Sequence, residues 1–308
     1  MYITDKKSGL KMRITQNYSI QSILDRINNT RSRIYQLQSN LATGRRVNKI
    51  SDDPEKIDTL LRYKNALKTN QLYQRNIENA LEFMAWTSQA LDDALNIVSS
   101  AKEIALKAGN ILNDEEWSAL SGQINQLLKE LVDIGNTRFK DRYVFGGSYP
   151  SQQPFVLSSD ESQVIVNPQG VGGKLRVEYG KSQIDTYNVS GEEAFLKDVN
   201  IFQTLIDLRN AFVNKDTNTV LGLMDKIDQS LNQLATTNGN LGAKMNRFDV
   251  YLQQYQTLEI KLQEYQSKIE DTDVAKAISD LQMAETGLTT ALQVLARTLN
   301  ISLVDFMK

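Results

Sequence analysis

The sequence predicts a mainly α-helical protein, an elongated helical bundle and coiled coil built from both chain ends, with a small β-rich insert near the centre. Two observations predict this fold class. Apolar residues recur at seven-residue intervals over long stretches toward both ends, which is typical of coiled coils. Three of the four prolines, Pro150, Pro154 and Pro168, lie in one short central stretch between long segments without proline. Because proline interrupts helices, this distribution indicates helices on both sides of a non-helical insert.

The first predicted helix runs from about Asn17 to Thr43, and Gly44 follows it as a residue type that commonly ends helices. Its large apolar residues form two rows with heptad spacing, which predict a narrow seam for a partner helix. The rows are Ile20, Ile27, Ile34 and Leu41, together with Ile23 and Leu37.

The second helix is predicted to begin after Asp53, which can cap a helix N-terminus, because Pro54 suits the first helical position. A third helix follows, with Asp114 as its predicted cap. These two helices form the first half of a predicted helical bundle, residues 51–140.

The insert is predicted over residues 141–191, where apolar residues alternate with polar ones and Gly-rich turns recur. This pattern indicates about four to six short strands. Helix is expected to resume after Ser190, because Glu193 lies at the spacing of a capping box.

The second half of the bundle is predicted over residues 192–270. A short amphipathic helix comes first, and a long heptad-patterned helix follows from about Thr217. Gly239 and Gly242 are the weakest point of this long helix, so any kink is expected there.

The last helix carries two large-apolar rows, which continue almost to the end of the sequence. The rows are Val274, Leu281, Leu288 and Leu295, and Ile278, Leu292, Leu299 and Phe306. The simplest partner is the first helix, so residues 1–50 and 271–308 are predicted to form one discontinuous coiled-coil domain. Two paired helices still expose apolar surface, and we expect neighbouring copies to bury the rest. The predicted assembly residues are Ile20, Ile23, Ile27, Ile34, Leu37, Leu41, Leu281, Leu288, Leu292, Leu295 and Leu299.

Composition excludes many chemistries. The 308 residues include no Cys and no His, so thiolate nucleophiles, Cys zinc sites and His acid–base catalysis are impossible. A formal net charge of −2 argues against a general nucleic-acid binder. Adjacent acids such as Asp52 and Asp53 are interpreted as helix caps or solvated surface charge. We therefore expect no catalytic residues, no cofactor and no metal.

Membrane and targeting signals are also absent from the pattern. No segment reaches the roughly 18 uninterrupted apolar residues of a membrane span. The stretch from Met1 to Thr15 has lysines but no apolar core, so a cleaved secretory signal is not expected. Cytoplasmic location and export by a route without a cleaved peptide both fit this observation.

Several segments carry a family resemblance. Residues 39–48 (SNLATGRRVN), within a stretch that begins at Met12, resemble the N-termini of the flagellin family, and residues 51–54 (SDDP) follow where that family has them. Segments near the C-terminus are similar to the family's C-terminal helices. They are residues 241–243 (LGA), 246–248 (NRF), 267–273 (SKIEDTD) and 302–306 (SLVDF).

The resemblance implies a rod-like subunit whose terminal helices form an inner tube, with the bundle as a middle layer and the insert outward. It also implies type III export as an unfolded chain, a chaperone on the C-terminal helix, and assembly into a ring or tube. Residues 141–147 (DRYVFGG), followed by Pro154 and Phe155, are similar to the branch of the family that links hook-associated protein 1 to flagellin. Two alternatives are a short flagellin that builds the filament itself and an intracellular coiled-coil adaptor.

Overall fold

The computed structural model describes residues 6–48, 53–109 and 113–306, with side chains except at residues 6–17, 19 and 298–306. The mainly helical fold class with a small central region of short strands is confirmed. The helices are α1 (Lys6–Thr43), α2 (Pro54–Lys107), α3 (Asp114–Gly135), α4 (Gly191–Phe195), α5 (Ile201–Val213), α6 (Thr217–Gly222), α7 (Met224–Glu270) and α8 (Val274–Phe306). The strands are β1 (Arg138–Phe139), β2 (Arg142–Tyr143), β3 (Phe155–Leu157), β4 (Val164–Val166), β5 (Arg176–Gly180) and β6 (Gln183–Thr186).

Helix ends follow the predicted capping chemistry with one correction. The side chain of Asp53 accepts a hydrogen bond from the Lys56 backbone N–H at 3.2 Å, as expected of a cap before Pro54. The cap of α3 is Asn113, and the prediction that Asp114 fills this role was wrong by one residue. Asn113 is the cap because its side chain accepts a hydrogen bond from the Glu116 backbone N–H, while the Glu116 side chain accepts one from the Asn113 backbone N–H. The two bonds form a complete capping box.

The start of α1 and the start of α7 differ from the sequence-based expectation. Helix α1 begins at Lys6, earlier than the predicted Asn17, because the residues between them include no proline that would end the helix. The long helix predicted from about Thr217 is divided into α6 and α7. Helix α7 continues through Gly239 and Gly242, because Leu234 and Leu241 on either side of Gly239 are buried in the core and hold the segment in place.

The described chain divides into two compact units. The terminal unit comprises the described residues up to Leu67 and those from Ile260 onward, and the central unit comprises Lys68–Glu259. Helices α2 and α7 each contribute residues to both units.

Within the central unit, α2 and α7 are antiparallel. The Asn70 side chain donates a hydrogen bond to the Tyr255 carbonyl at 2.9 Å, and Lys102 forms an ion pair with Asp228 at 2.6 Å. Residues with higher numbers on α2 therefore contact residues with lower numbers on α7. The heptad rows on both helices are buried, which removes their apolar surface from water. The buried rows are Ile77, Met84, Leu91 and Val98 on α2, and Ile227, Leu234, Leu241 and Phe248 on α7.

The strands form three separate two-stranded antiparallel hairpins, β1–β2, β3–β4 and β5–β6, and β1 lies just before the predicted insert of residues 141–191. A cluster of phenylalanines attaches this region to the helices: Phe155 lies 4.7 Å from Phe202 and 5.6 Å from Phe195 between ring centroids. Both Gly135 and Gly191 adjoin the Phe155 ring, and a Cβ at either would lie within 2.9 Å of it. These two glycines therefore permit the close approach of the strand to α3 and α4.

Candidate assembly interface

Helices α1 and α8 pack against each other in the terminal unit. The Thr272 N–H donates to the Gly44 carbonyl at 2.9 Å, and Arg33 lies 3.9 Å from Asp280 further along, so the helices are antiparallel. Gly44 adopts φ +70°, a left-handed conformation that glycine reaches without steric cost and that ends α1.

The predicted seam of α1 is the side of the helix that is shielded from solvent. Ile27 and Ile34 are buried, and the remaining predicted positions are half-buried. The half-buried positions are Ile20, Ile23, Leu37 and Leu41. Their alternating three- and four-residue spacing matches one continuous stripe on a helix that contacts a single partner.

The shielded side of α8 combines a leucine row with an alanine row that the sequence analysis missed. The predicted residues Leu281, Leu288 and Leu295 are half-buried. The alanine row repeats with the same interval of seven and comprises Ala277, Ala284 and Ala291. Alternation of large and small side chains lets two helices approach closely, and the regular spacing of these alanines is the signal that could have revealed them.

The second predicted row of α8 lies outside this seam. Leu292 is 41% exposed and Ile278 is 45% exposed, and Val274 on the same flank is also exposed. Leu299 belongs to the predicted set too, but its side chain lies outside the described residues.

The other flank of α8 also presents apolar side chains to solvent. Met283 is 61% exposed and Val294 is 47% exposed. They lie along an open groove of about 690 Å³ between this flank and the Ile23–Arg26 turn of α1. The helix pair thus exposes apolar surface on both flanks, while its seam is internal.

A buried carboxylate, that of Glu270, lies where the end of α7 meets the first part of α2 and the segment after α1. The Glu270 side chain is 4% exposed, and it accepts hydrogen bonds from Lys64 Nζ at 2.9 Å and Gln266 Nε2 at 2.7 Å. Arg45 Nη1 lies 3.2 Å from the same carboxylate. Sequence analysis missed this cluster, which connects the segment after α1 and the first part of α2 to the end of α7.

Backbone contacts reinforce the same connection. The Arg46 N–H donates to the Glu270 carbonyl at 2.7 Å, and Arg46 Nη2 donates to the Ile269 carbonyl at 3.0 Å. These bonds satisfy carbonyls at the C-terminus of α7 that lack partners within the helix. The segment after α1 therefore acts as the cap of α7.

Electrostatics keep this carboxylate charged. Burial raises the pKa of Glu270, but the hydrogen bonds from Gln266 and Lys64 and the positive charge of Arg45 outweigh it. The net effect holds the pKa below its ordinary value of 4.5, so Glu270 is ionised near neutral pH. The cluster is consequently a structural ion-pair network.

Among the residues whose side chains are described, no group of three or more acidic side chains is placed to hold a metal ion. None of the helices in the described segments combines the length and apolar composition that a membrane crossing requires. The terminal unit presents apolar surface on two sides of the α1–α8 helix pair.

Comparison with known proteins agrees with this organisation. Residues 14–149 match the sequence model of the bacterial flagellin N-terminal helical region, and residues 224–307 match that of the C-terminal helical region. Bacillus subtilis flagellin is 23% identical, over 87% of this chain and 90% of its own length. Flagellar hook-associated protein 3 of Escherichia coli is 21% identical, over 96% of this chain and 100% of its own length.

A solved structure has a similar fold. The crystal structure of flagellar hook-associated protein 3 from Legionella pneumophila has a TM-score of 0.56 to this chain at 17% identity. The match covers 67% of this chain and 98% of the Legionella protein. Because the two matched family regions together span most of its length, this chain belongs to the bacterial flagellin family.

Proposed function

We propose that this chain is a hook-associated protein 3, a structural subunit that joins the hook, through hook-associated protein 1, to the flagellin filament. Its place would be the hook–filament junction of the bacterial flagellum. Similarity to the Escherichia coli protein of that name over nearly the full length of both chains supports this assignment. The role is structural, and we assign the chain no enzymatic activity.

The observation that carries the proposal is the exposed apolar surface on both flanks of α8. Val274, Ile278, Met283, Leu292 and Val294 are each at least 41% exposed in the single chain. Full burial of an exposed aliphatic side chain contributes roughly 1.5–3 kcal/mol, and these residues retain about half of that surface to bury, so the five together favour association when several copies meet. A junction subunit needs this property, because its terminal helices must associate with neighbouring subunits.

The assembly mechanism follows from the same surface. The predicted inner-tube domain, residues 1–50 and 271–308, would supply the subunit contacts. An export chaperone on the C-terminal helix would cover its apolar residues before assembly. Fixing the helices in a ring or tube costs conformational entropy, which burial of the exposed rows must exceed.

A deletion strain tests the function directly. Loss of the gene should leave hooks without filaments and release flagellin monomer into the medium, as seen by electron microscopy and immunoblotting. The wild-type gene should restore filaments. Normal filaments in the deletion strain would overturn the proposal.

A substitution in α8 then tests whether the exposed apolar surface of this helix is used in assembly. Leu292→Asp should leave the central unit folded but abolish incorporation into flagella, because a carboxylate at this position opposes burial. Gln293→Asp places the same charge one residue further along the same helix and should assemble normally. Full motility of the Leu292→Asp strain would contradict this role for Leu292.

A short flagellin is the second candidate, because the Bacillus subtilis flagellin matches most of this chain. Seeding separates the two functions. Purified subunits that grow long filaments on flagellar fragments by themselves would be flagellin, whereas a junction subunit should add a short layer and then require flagellin for further growth.

A further inference from the structure

Helix α8 presents two different surfaces on its opposite flanks. We call the first the ridge, and it consists of Val274, Ile278, Glu285 and Leu292. The second is the groove, whose lining includes Ile23, Arg26, Met283, Gly287, Thr290 and Val294. Ridge residues at intervals of seven share one side of the helix, and the groove residues of α8 share the other.

The shapes of these surfaces are complementary. Each apolar ridge residue is more than 40% exposed, so the ridge projects from the helix pair. The groove has a volume of about 690 Å³. Gly287 contributes no side chain to it, and a Cβ built there would meet nothing within 4 Å. The groove is therefore open at the point where a projecting aliphatic side chain needs space.

Their charges are complementary as well. Arg26 is the charged residue of the groove lining, which contains no carboxylate. Glu285 is the charged residue of the ridge and is exposed. Neither side chain forms an ion pair within the part of the chain whose side chains are described. A contact between ridge and groove would place opposite charges at one edge of an apolar interface.

We infer that the ridge of one copy docks into the groove of the next copy, with Glu285 facing Arg26 of its neighbour. The occupant is a second copy of this chain because each copy carries both halves on opposite flanks of one helix. Such a heterologous contact repeats around a circle and generates a closed ring or a helical tube. This inference rests on the proposed junction function and specifies the side-by-side contact within its ring.

Cysteine cross-linking tests the contact, because the natural chain has no cysteine. Arg26 lines the groove together with Gly287, so a Glu285 that faces Arg26 of the next copy brings Leu292 level with Val294 of that copy. Leu292→Cys and Val294→Cys are therefore placed on separate copies that are expressed together in the deletion strain, and isolated flagella are oxidised and immunoblotted. Each copy carries a single cysteine, so a disulfide between positions 292 and 294 must join two copies.

The expected result is a covalent dimer from the mixed variants, at least about tenfold more abundant than from either variant alone. The matched control pairs Val294→Cys with Gln293→Cys, which lies next to the ridge on the same helix. Assembled flagella with no excess of the 292–294 dimer over this control would overturn the inference while leaving the junction function intact. Absence of the protein from the junction would instead refute the function.

Charge reversal provides an independent test if the cysteine variants do not assemble. Arg26→Glu and Glu285→Arg should each reduce the amount of protein incorporated at the junction by about tenfold, because each places like charges together. The double variant restores opposite charges and should recover incorporation. Full incorporation of both single variants, or no recovery in the double variant, would overturn the inference.

Discussion

Lys64 Nζ lies 2.9 Å from Glu270 Oε1, although 206 positions separate the two residues in the chain. Arg45 approaches the same carboxylate, so one buried acid holds cations from two different segments. Lys64 and Arg45 remain 41% and 57% exposed, and water therefore offsets part of their desolvation. The arrangement ties the end of α7 to the start of α2 and to the segment that leaves α1.

Glu270→Gln is expected to loosen this connection. The amide keeps the shape but removes the charge, and loss of charge-assisted hydrogen bonds should lower the local opening free energy by about 1–3 kcal/mol. Hydrogen exchange should therefore accelerate at the backbone amides of Arg46 and Thr272, which are bonded across the connection.

The control for this substitution is Glu264→Gln. Glu264 pairs with Lys268 at 2.6 Å on the exposed surface of the same helix, where ion pairs contribute little. Exchange at Arg46 and Thr272 should be unchanged in this control. Equal protection of both amides in the Glu270→Gln variant and the wild type would show that the carboxylate does not hold the connection.

Acid should weaken the same connection in the wild type. The folded-state pKa of Glu270 lies below its ordinary value of 4.5, so its charge contributes stability that is complete above that pH. The contribution is lost as pH falls through the folded-state pKa, because protonation removes the ionic contacts. The protection of the Thr272 amide should therefore decline in the wild type as the pH falls below about 4.5 and through the lowered pKa of Glu270.

The pH profile of Glu270→Gln isolates this effect from the titration of other carboxylates. The difference in protection between wild type and variant should be largest near pH 7 and should shrink as pH falls. A constant difference across this range would mean that ionisation of Glu270 does not contribute.

The sequence predicted one side of the terminal helix pair better than the other. On α1, every seam position is a large apolar residue except Thr30, so the heptad pattern was visible. On α8, half of the seam is alanine, which buries little area and also occurs often on helix surfaces. The large residue Leu292 was consequently grouped with seam leucines, although it is exposed in the structure.

Contacts between segments that are distant in the chain could not be predicted from sequence periodicity. Glu270 lies in a run of polar residues that indicates a helix end, and no nearby sequence pattern predicts its contacts with Arg45 and Lys64. The same holds for the phenylalanine cluster, since Phe155 and Phe202 come together only when the insert folds onto the helices. Helix periodicity depends on neighbours within a few turns, whereas these contacts depend on tertiary structure.

Phe155 is expected to hold the insert onto the central unit. Its ring is fully buried, so Phe155→Ala should destabilise this unit by about 3–5 kcal/mol, as large core truncations do. Asn136 bonds both the N–H and the carbonyl of Phe155, at 3.0 Å and 2.7 Å, so the strand should keep its backbone anchor. Urea unfolding followed by circular dichroism measures the loss.

Val156→Ala is the matched control for this substitution. Val156 is the next residue of β3 and is 45% exposed, so its truncation should cost less than about 1 kcal/mol. A similar loss of stability in the two variants would indicate that backbone anchoring, and not the phenylalanine cluster, attaches the strand.

A substitution at Gly287 should affect the stability of the subunit and its assembly in opposite directions. Because its would-be Cβ meets nothing within 4 Å, Gly287→Leu should fold and should stabilise α8 by roughly 0.5–1 kcal/mol through helix propensity. The leucine occupies the groove, so incorporation at the junction should nevertheless fall. Gly239→Leu makes the same change in α7, also without contact to neighbouring atoms, and should assemble normally. Thermal unfolding and immunoblots of isolated flagella measure the two effects, and normal incorporation of Gly287→Leu would show that the groove is not used in assembly.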